Sequence, residues 1–184
     1  MNLFVSAATT KGNIRDENQD VIFSGNQILF DEDSCNLKFD NKKFLRFALA
    51  DGMGGHIGGK QAATTAIKYI QKSNDDQIGE DILNKINNEL WFTNNGKKIK
   101  DCMGTTICLI TIKNNNIYWS SVGDSSIYII SKDLIKRVNK LDEVLGRDGG
   151  RTGIINNCLG ATNKLESIKV HGGKEALKNN IFCL

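Results

Sequence analysis

The chain has 184 residues, 40% hydrophobic and 24% charged, with a formal net charge of +3. That is the make-up of one soluble globular domain, residues 1–184, with a core of modest size. The mild charge comes from scattered lysines with no dense basic block, which argues against a nucleic-acid partner. No apolar run reaches the roughly twenty residues a bilayer span needs, and MNLFVSAATTKG has neither a basic start nor a long apolar stretch, so no membrane association and a cytoplasmic location are expected.

In chain order, strand-like segments come first: Leu3–Thr9, then Asp20–Ser24 and Gln27–Phe30, joined at Gly25-Asn26 by a two-residue hairpin signal. Phe44–Ala50 is a further apolar strand. Ala62, Ala63, Ala66, Ile67 and Ile70 recur at helical spacing and predict a helix over Gly59–Gln71. Ile82, Leu83, Ile86 and Leu90 predict a second over Gly79–Phe92. Strands Thr105–Ile112, Ile117–Val122 and Ser126–Ser131 follow, with Lys113–Asn116 as a turn, and Leu134–Val138 reads as one more. Asn139–Asn157 has glycines and little periodicity and reads as a loop or a short irregular lid. Ile168–Val170 and Ile181–Leu184 close the series. β-Meander, two helices, β-meander is the order of an α+β fold, not of a parallel doubly wound sheet.

Five cysteines contain no CxxC pair, which argues against a zinc knuckle. Cys108, inside GTTICLI, reads as a buried small apolar side chain in a reduced protein.

The most informative stretch is ALADGMGGHIGGKQ, residues 48–61. Gly54–Lys60 fits G-x-x-x-x-G-K, but Gln61 stands where a phosphate-cradling loop needs Ser or Thr, so a nucleotide site is disfavoured. Glycines that permit a strand-to-helix turn account for part of the run, though not for Asp51. A carboxylate at the mouth of an apolar strand costs solvation unless it is exposed or paired with a cation. A divalent metal would supply the pairing, and bare glycines would let backbone carbonyls approach it. Two more aspartates stand at strand ends: Asp20, opening DVIF, and Asp124, in the Gly123-Asp124 turn. Singly each reads as a solvated turn residue. Together they suit an oxygen-ligand magnesium or manganese site.

RDENQD (15–20), LADGMGGHIGGKQAA (49–63), MGTT (103–106) and VGDSSIYII (122–130), in this order and spacing, resemble the PPM-type, or type 2C, metal-dependent serine/threonine protein phosphatases, in particular the bacterial branch. The resemblance implies a four-layer α-β-β-α sandwich of two antiparallel sheets flanked by helices, with a Mn2+ or Mg2+ pair at one end. It implies that Asp20, Asp51 and the Gly52 carbonyl are metal ligands, that Asp124 binds a further metal, and that Arg15 grips substrate phosphate through its bidentate guanidinium. The implied activity is hydrolysis of phosphoserine and phosphothreonine by a water that the ions activate, with no cysteine nucleophile. The implied partners are a phosphorylated protein and a serine/threonine kinase or its targets, met by a monomeric enzyme. His56 stays outside the catalytic set, and His171 reads as a surface residue.

The chain departs from the family pattern in three places. Gln19 replaces a glutamate, Ser126 replaces an arginine, and the sequence stops at Leu184, where a Ser-Asp-Gly turn and a later Asp-Asn pair carry two further metal aspartates. The expectation is a fold incomplete at its C-terminus that holds one metal weakly and turns over poorly. The alternative is a degenerate phosphatase fold that binds phosphoproteins or a regulatory partner without catalysis.

Overall fold

The computed structural model describes residues 2–53, 58–75, 77–95, 97–98, 101–162, 164–165, 168–176 and 181–184. The elements are β1 (Asn2–Ala8), β2 (Asp20–Phe23), β3 (Ile28–Phe30), β4 (Ser34–Asp40), β5 (Phe44–Asp51), α1 (Gly59–Lys72), α2 (Glu80–Thr93), β6 (Ile107–Lys113), β7 (Asn116–Val122), β8 (Tyr128–Ser131), β9 (Leu134–Arg137), β10 (Glu143–Leu145), β11 (Arg151–Ile155), β12 (His171–Ala176) and β13 (Ile181–Cys183). Every strand pairing among them is antiparallel. The largest sheet has six strands in the order β12-β7-β6-β5-β2-β3. The class is α+β, as expected. Among the described residues no helix is long and apolar enough to cross a membrane.

Side-chain alternation gives the large sheet two buried faces. On β6, Ile107 and Leu109 join one core with Ala48 and Ala50 of β5, Val21 and Phe23 of β2, and the apolar stripes of both helices. Ala62, Ala63 and Ala66 are small enough to bring α1 close to the two β5 alanines. The intervening residues, Cys108, Ile110 and Ile112, enter a second core with Leu45 and Phe39, against which Leu3, Val5, Leu37 and Phe182 pack. The opposite face is therefore covered by two smaller pieces: the β1–β4 ribbon and the three-stranded sheet β13-β8-β9.

Arg46 is the exception on the helix-facing side of β5. It is 3% exposed and donates to the carbonyls of Ser73, Asn74 and Gln77 at 2.9, 2.6 and 2.5 Å. The guanidinium thereby satisfies carbonyls at the end of α1 and in the following loop. Burial holds its pKa below the usual value, although Asp75 opposes that shift.

Three segments differ from the sequence expectation. β4 was not anticipated; its Cys35, Leu37 and Phe39 alternate inward, and it pairs with β1 over the full length of both strands. The segment Asn139–Asn157 is not an irregular loop throughout, because β10 and β11 form a hairpin within it. The late strand lies at His171–Ala176, not Ile168–Val170. Its Gly173 stands opposite Trp119 on β7, where a Cβ would come within 2.5 Å of the indole, so glycine there makes room for the ring.

Candidate active site

Asp20 opens β2, Asp51 closes β5, and the two are direct cross-strand partners. Such residues project from the same face of the sheet, so adjacent strands deliver two carboxylates to one end of the fold. Buried Asn18 sets the start of β2: its Oδ1 accepts the Asp20 N–H at 3.0 Å while its Nδ2 donates to Thr9 and to the Asp31 carbonyl. Thr105 and Thr106 fix the end of β5. The Asp51 carbonyl accepts from Thr105 Oγ1 at 2.8 Å and from the Thr106 N–H at 2.9 Å. The Asp51 N–H in turn donates to Thr106 Oγ1 at 3.3 Å.

Gly52 is held by its N–H, which donates to the Gln19 carbonyl at 3.1 Å. A Cβ at Gly52 would run into the backbone carbon and oxygen of Gly59. The glycine therefore lets the end of β5 meet the start of α1. Gly54, Gly55, His56 and Ile57 lie outside the described residues, so the expectation for His56 is not addressed.

Asp124 arrives from the turn after β7. Gly123, just before it, has φ +102°, and a Cβ there would stand 2.6 Å from Thr106 Cγ2. Both the dihedral and the close approach require glycine. Arg151 of β11 pairs with Glu143 at 2.6 Å and reaches the Asp124 carboxylate at 3.6 Å. At 62% exposure that pairing contributes little energy.

These groups share one cleft of about 890 Å³, lined by Lys11, Arg15, Asp20, Asp51, Gly52 and Asp124, with Ile154 and Ile155 of the β10–β11 hairpin along its wall. The sequence-derived candidates thus come together. Sequence reasoning missed Lys11, Asn18, the hairpin wall and Arg151. Asn18 sits inside the RDENQD block and was accessible from it, but the hairpin residues carry no local signature.

The electrostatics are those of crowded carboxylates. The Asp51 carboxyl is pushed up from its ordinary 3.8 to about 7, first by desolvation, then by the charge of Asp20 and a hydrogen bond with it, and then by Asp124, while Arg15 pulls it down. Like charges raise a carboxyl pKa because the second charge is resisted by the first. A divalent cation would relieve that repulsion. Hard oxygen donors, two of them in register and accompanied by a carbonyl next to a glycine, fit Mn2+ or Mg2+ in donor type. Among the described residues no group of three His, Cys, Asp or Glu side chains forms a ready-made cage.

The other sequence candidates separate from this cleft. Lys60 of the G-x-x-x-x-G-K match donates to Asp31 at 2.5 Å and lies 4.0 Å from Glu17, so its charge is already engaged. Cys108 is fully buried, as expected, and burial pushes its thiol up to about 12. His171 is not a surface residue: its side chain is 11% exposed and its Nε2 lies 2.7 Å from Asp142 Oδ1.

The fold matches bacterial serine/threonine phosphatases. The Mycobacterium tuberculosis phosphatase PstP/Ppp superposes with a TM-score of 0.69 at 19% identity, over 98% of this chain and 76% of that one. The S. agalactiae serine/threonine phosphatase gives 0.69 at 20% identity, over 99% and 77%. The catalytic domain of PstP in complex with two manganese ions gives 0.69 at 20% identity, over 98% and 75%. In sequence, the chain is 26% identical over 144 residues to serine/threonine protein phosphatase PstP of Mycobacterium tuberculosis, across 74% of this chain and 24% of that protein. The chain thus spans about a quarter of the length of that relative. No family model matches it. In fold, and over part of its sequence, the chain is thus similar to bacterial serine/threonine phosphatases.

Proposed function

We propose that the chain is a divalent-cation-dependent phosphatase that acts on phosphoserine and phosphothreonine in proteins. The observation that carries this reading is the cross-strand register of Asp20 and Asp51, which opens onto a cleft shared with Asp124 and Arg15. Asp20, Asp51 and the Gly52 carbonyl would hold Mn2+ or Mg2+, and Asp124 would hold a further ion. Such ions, when bound, lower the pKa of water and neutralise phosphoryl oxygens. Arg15 binds and orients the phosphate through its planar donor fork, and Lys11 adds positive charge to the same cleft. Ile154 and Ile155 give one wall an apolar lining. Asn18, Thr105 and Thr106 keep the two strand ends rigid. The remaining features are a phosphoprotein substrate, a kinase or its targets as partners, a monomer and a cytoplasmic site of action. The family's four-layer arrangement would add helices over the β1–β4 and β13-β8-β9 pieces.

The test is phosphate release from a phosphothreonine peptide by the purified chain with Mn2+. Turnover that requires Mn2+ and disappears in Asp51→Asn supports the proposal, whereas Mn2+-independent turnover, or an active Asp51→Asn protein, contradicts it. A second reading, phosphoprotein binding without catalysis, draws on the lack of a three-side-chain cage among the described residues. Manganese stoichiometry separates the two: two or more ions favour the enzyme, and one or none favours the binder.

A further inference from the structure

Asp142 lies outside the cleft lining, yet it is the most heavily committed carboxylate among the described residues. It is 7% exposed. Its Oδ2 accepts from the Gly123 N–H at 3.1 Å and from Asn157 Nδ2 at 2.6 Å. Its Oδ1 accepts from His171 Nε2 at 2.7 Å. Its own N–H donates to the Gly123 carbonyl at 2.9 Å, and its carbonyl accepts from the Asn156 N–H at 3.1 Å. Both main-chain groups of Gly123 are therefore clamped by one residue, and Gly123 is the left-handed pivot that aims Asp124. Asn139 braces the other side of the same turn: its Oδ1 accepts from the Ile127 N–H, and its Nδ2 donates to Ser121 Oγ and the Ser125 carbonyl.

The contacts that hold Asp142 come from three directions. His171 lies on the edge strand β12, opposite Ser121. Asn157 is fastened in turn to the backbone of Lys169, whose N–H and C=O it meets at 3.1 and 2.7 Å. Asp142 and Asn156 flank the β10–β11 hairpin that walls the cleft. A buried carboxylate with an acceptor for every donor around it is costly to disturb, because each lost bond strands a buried donor.

We infer that Asp142, steadied by His171 and Asn157, is a positioning residue that sets the Asp124 carboxylate and the base of the hairpin at once. This rests on the reading above, that Asp124 coordinates a divalent cation. Groups that orient a metal ligand affect affinity without touching the metal, by about 10–100-fold.

The experiment is Mn2+ binding to the full chain, followed by the electron paramagnetic resonance signal of free Mn2+, with circular dichroism melts to confirm folding. Asp124→Ala identifies the class of Mn2+ that depends on that carboxylate. Asp142→Ala is expected to weaken the same class about tenfold and to add nothing in the Asp124→Ala background. Asp142→Asn is expected to remain within about threefold of wild type, because its amide oxygen can still accept from Gly123 while its NH2 can donate to His171 Nε2 in the tautomer that carries the ring proton on Nδ1. If Asp142→Ala does not fold, His171→Phe keeps the ring volume and is expected to weaken the same class measurably. A changed isotherm for Asp124→Ala with an unchanged one for Asp142→Ala, or for His171→Phe where that variant takes its place, overturns the inference alone. An unchanged isotherm for Asp124→Ala overturns the reading of Asp124 as a ligand, and the inference with it.

Discussion

Asp51→Asn in the cation-free protein is expected to stabilise the fold at pH 8 while it removes the metal response. The folded-state pKa of Asp51 is raised from 3.8 to about 7. The contribution of this group to stability is therefore complete below about pH 4 and is lost as pH rises through about 7. At pH 8 the wild-type chain carries a charge that desolvation, Asp20 and Asp124 all resist, and asparagine does not. Each tenfold change in proton affinity corresponds to about 1.4 kcal/mol, so the ceiling is about 4 kcal/mol. Asp51 faces an open cleft, and water screening reduces the figure to about 1–2 kcal/mol. For a chain of this size that is a melting-temperature gain of about 2–8 °C. Thermal melts with EDTA at pH 5, 6, 7 and 8 measure it. The gap between variant and wild type should widen from pH 5 to 7 and level off towards pH 8. Added Mn2+ should raise the wild-type melting temperature more than that of the variant. A variant less stable than wild type at pH 8, or a gap independent of pH, would refute the crowding of carboxylates as its cause.

Arg46→Met should cost about 3 kcal/mol, because three carbonyls lose a charged donor; a melting-temperature loss of about 6–12 °C is expected, and a loss under about 3 °C would show that desolvation of the guanidinium cancels its bonds. Gly52→Ala should destabilise by about 1–3 kcal/mol through the collision with Gly59 and weaken Mn2+ binding; if the melting curve and the isotherm both match wild type, that close approach is not required. Thiol labelling at pH 8 should modify exposed Cys183 quickly and half-buried Cys35 more slowly. Buried Cys102, Cys108 and Cys158 should react only in denaturant, with burial raising the last two thiols to about 12 and 11; rapid native labelling of either would contradict their burial.

Much of the framework was legible because it is local. The helical spacing of Ala62–Ile70 and Ile82–Leu90 located α1 and α2 to within a residue or two, and the Gly25-Asn26 turn placed the β2–β3 hairpin. Asp20 and Asp51 were visible because each stands at the end of an apolar run, and Asp124 because it follows a turn glycine. The missing parts are those whose logic is long-range. The β10–β11 hairpin is short and largely exposed, so burial imposes no alternation on it. β12 is glycine-bearing and polar, and its position is set by Trp119 on a strand far away in sequence. His171 and Asp142, 29 residues apart, each look ordinary alone; only the fold makes them a pair. Arg46 drew no reading from the sequence, because its three acceptors, Ser73, Asn74 and Gln77, follow α1 some thirty residues on.

Anomalous scattering at the manganese edge, from crystals of the full chain grown with saturating Mn2+, addresses the proposed metal site without relying on catalysis. The expected result is a peak bonded to the carboxylates of Asp20 and Asp51 and to the Gly52 carbonyl, which vanishes in Asp51→Asn. A cleft without a manganese peak, or a peak clear of those three residues, would contradict it.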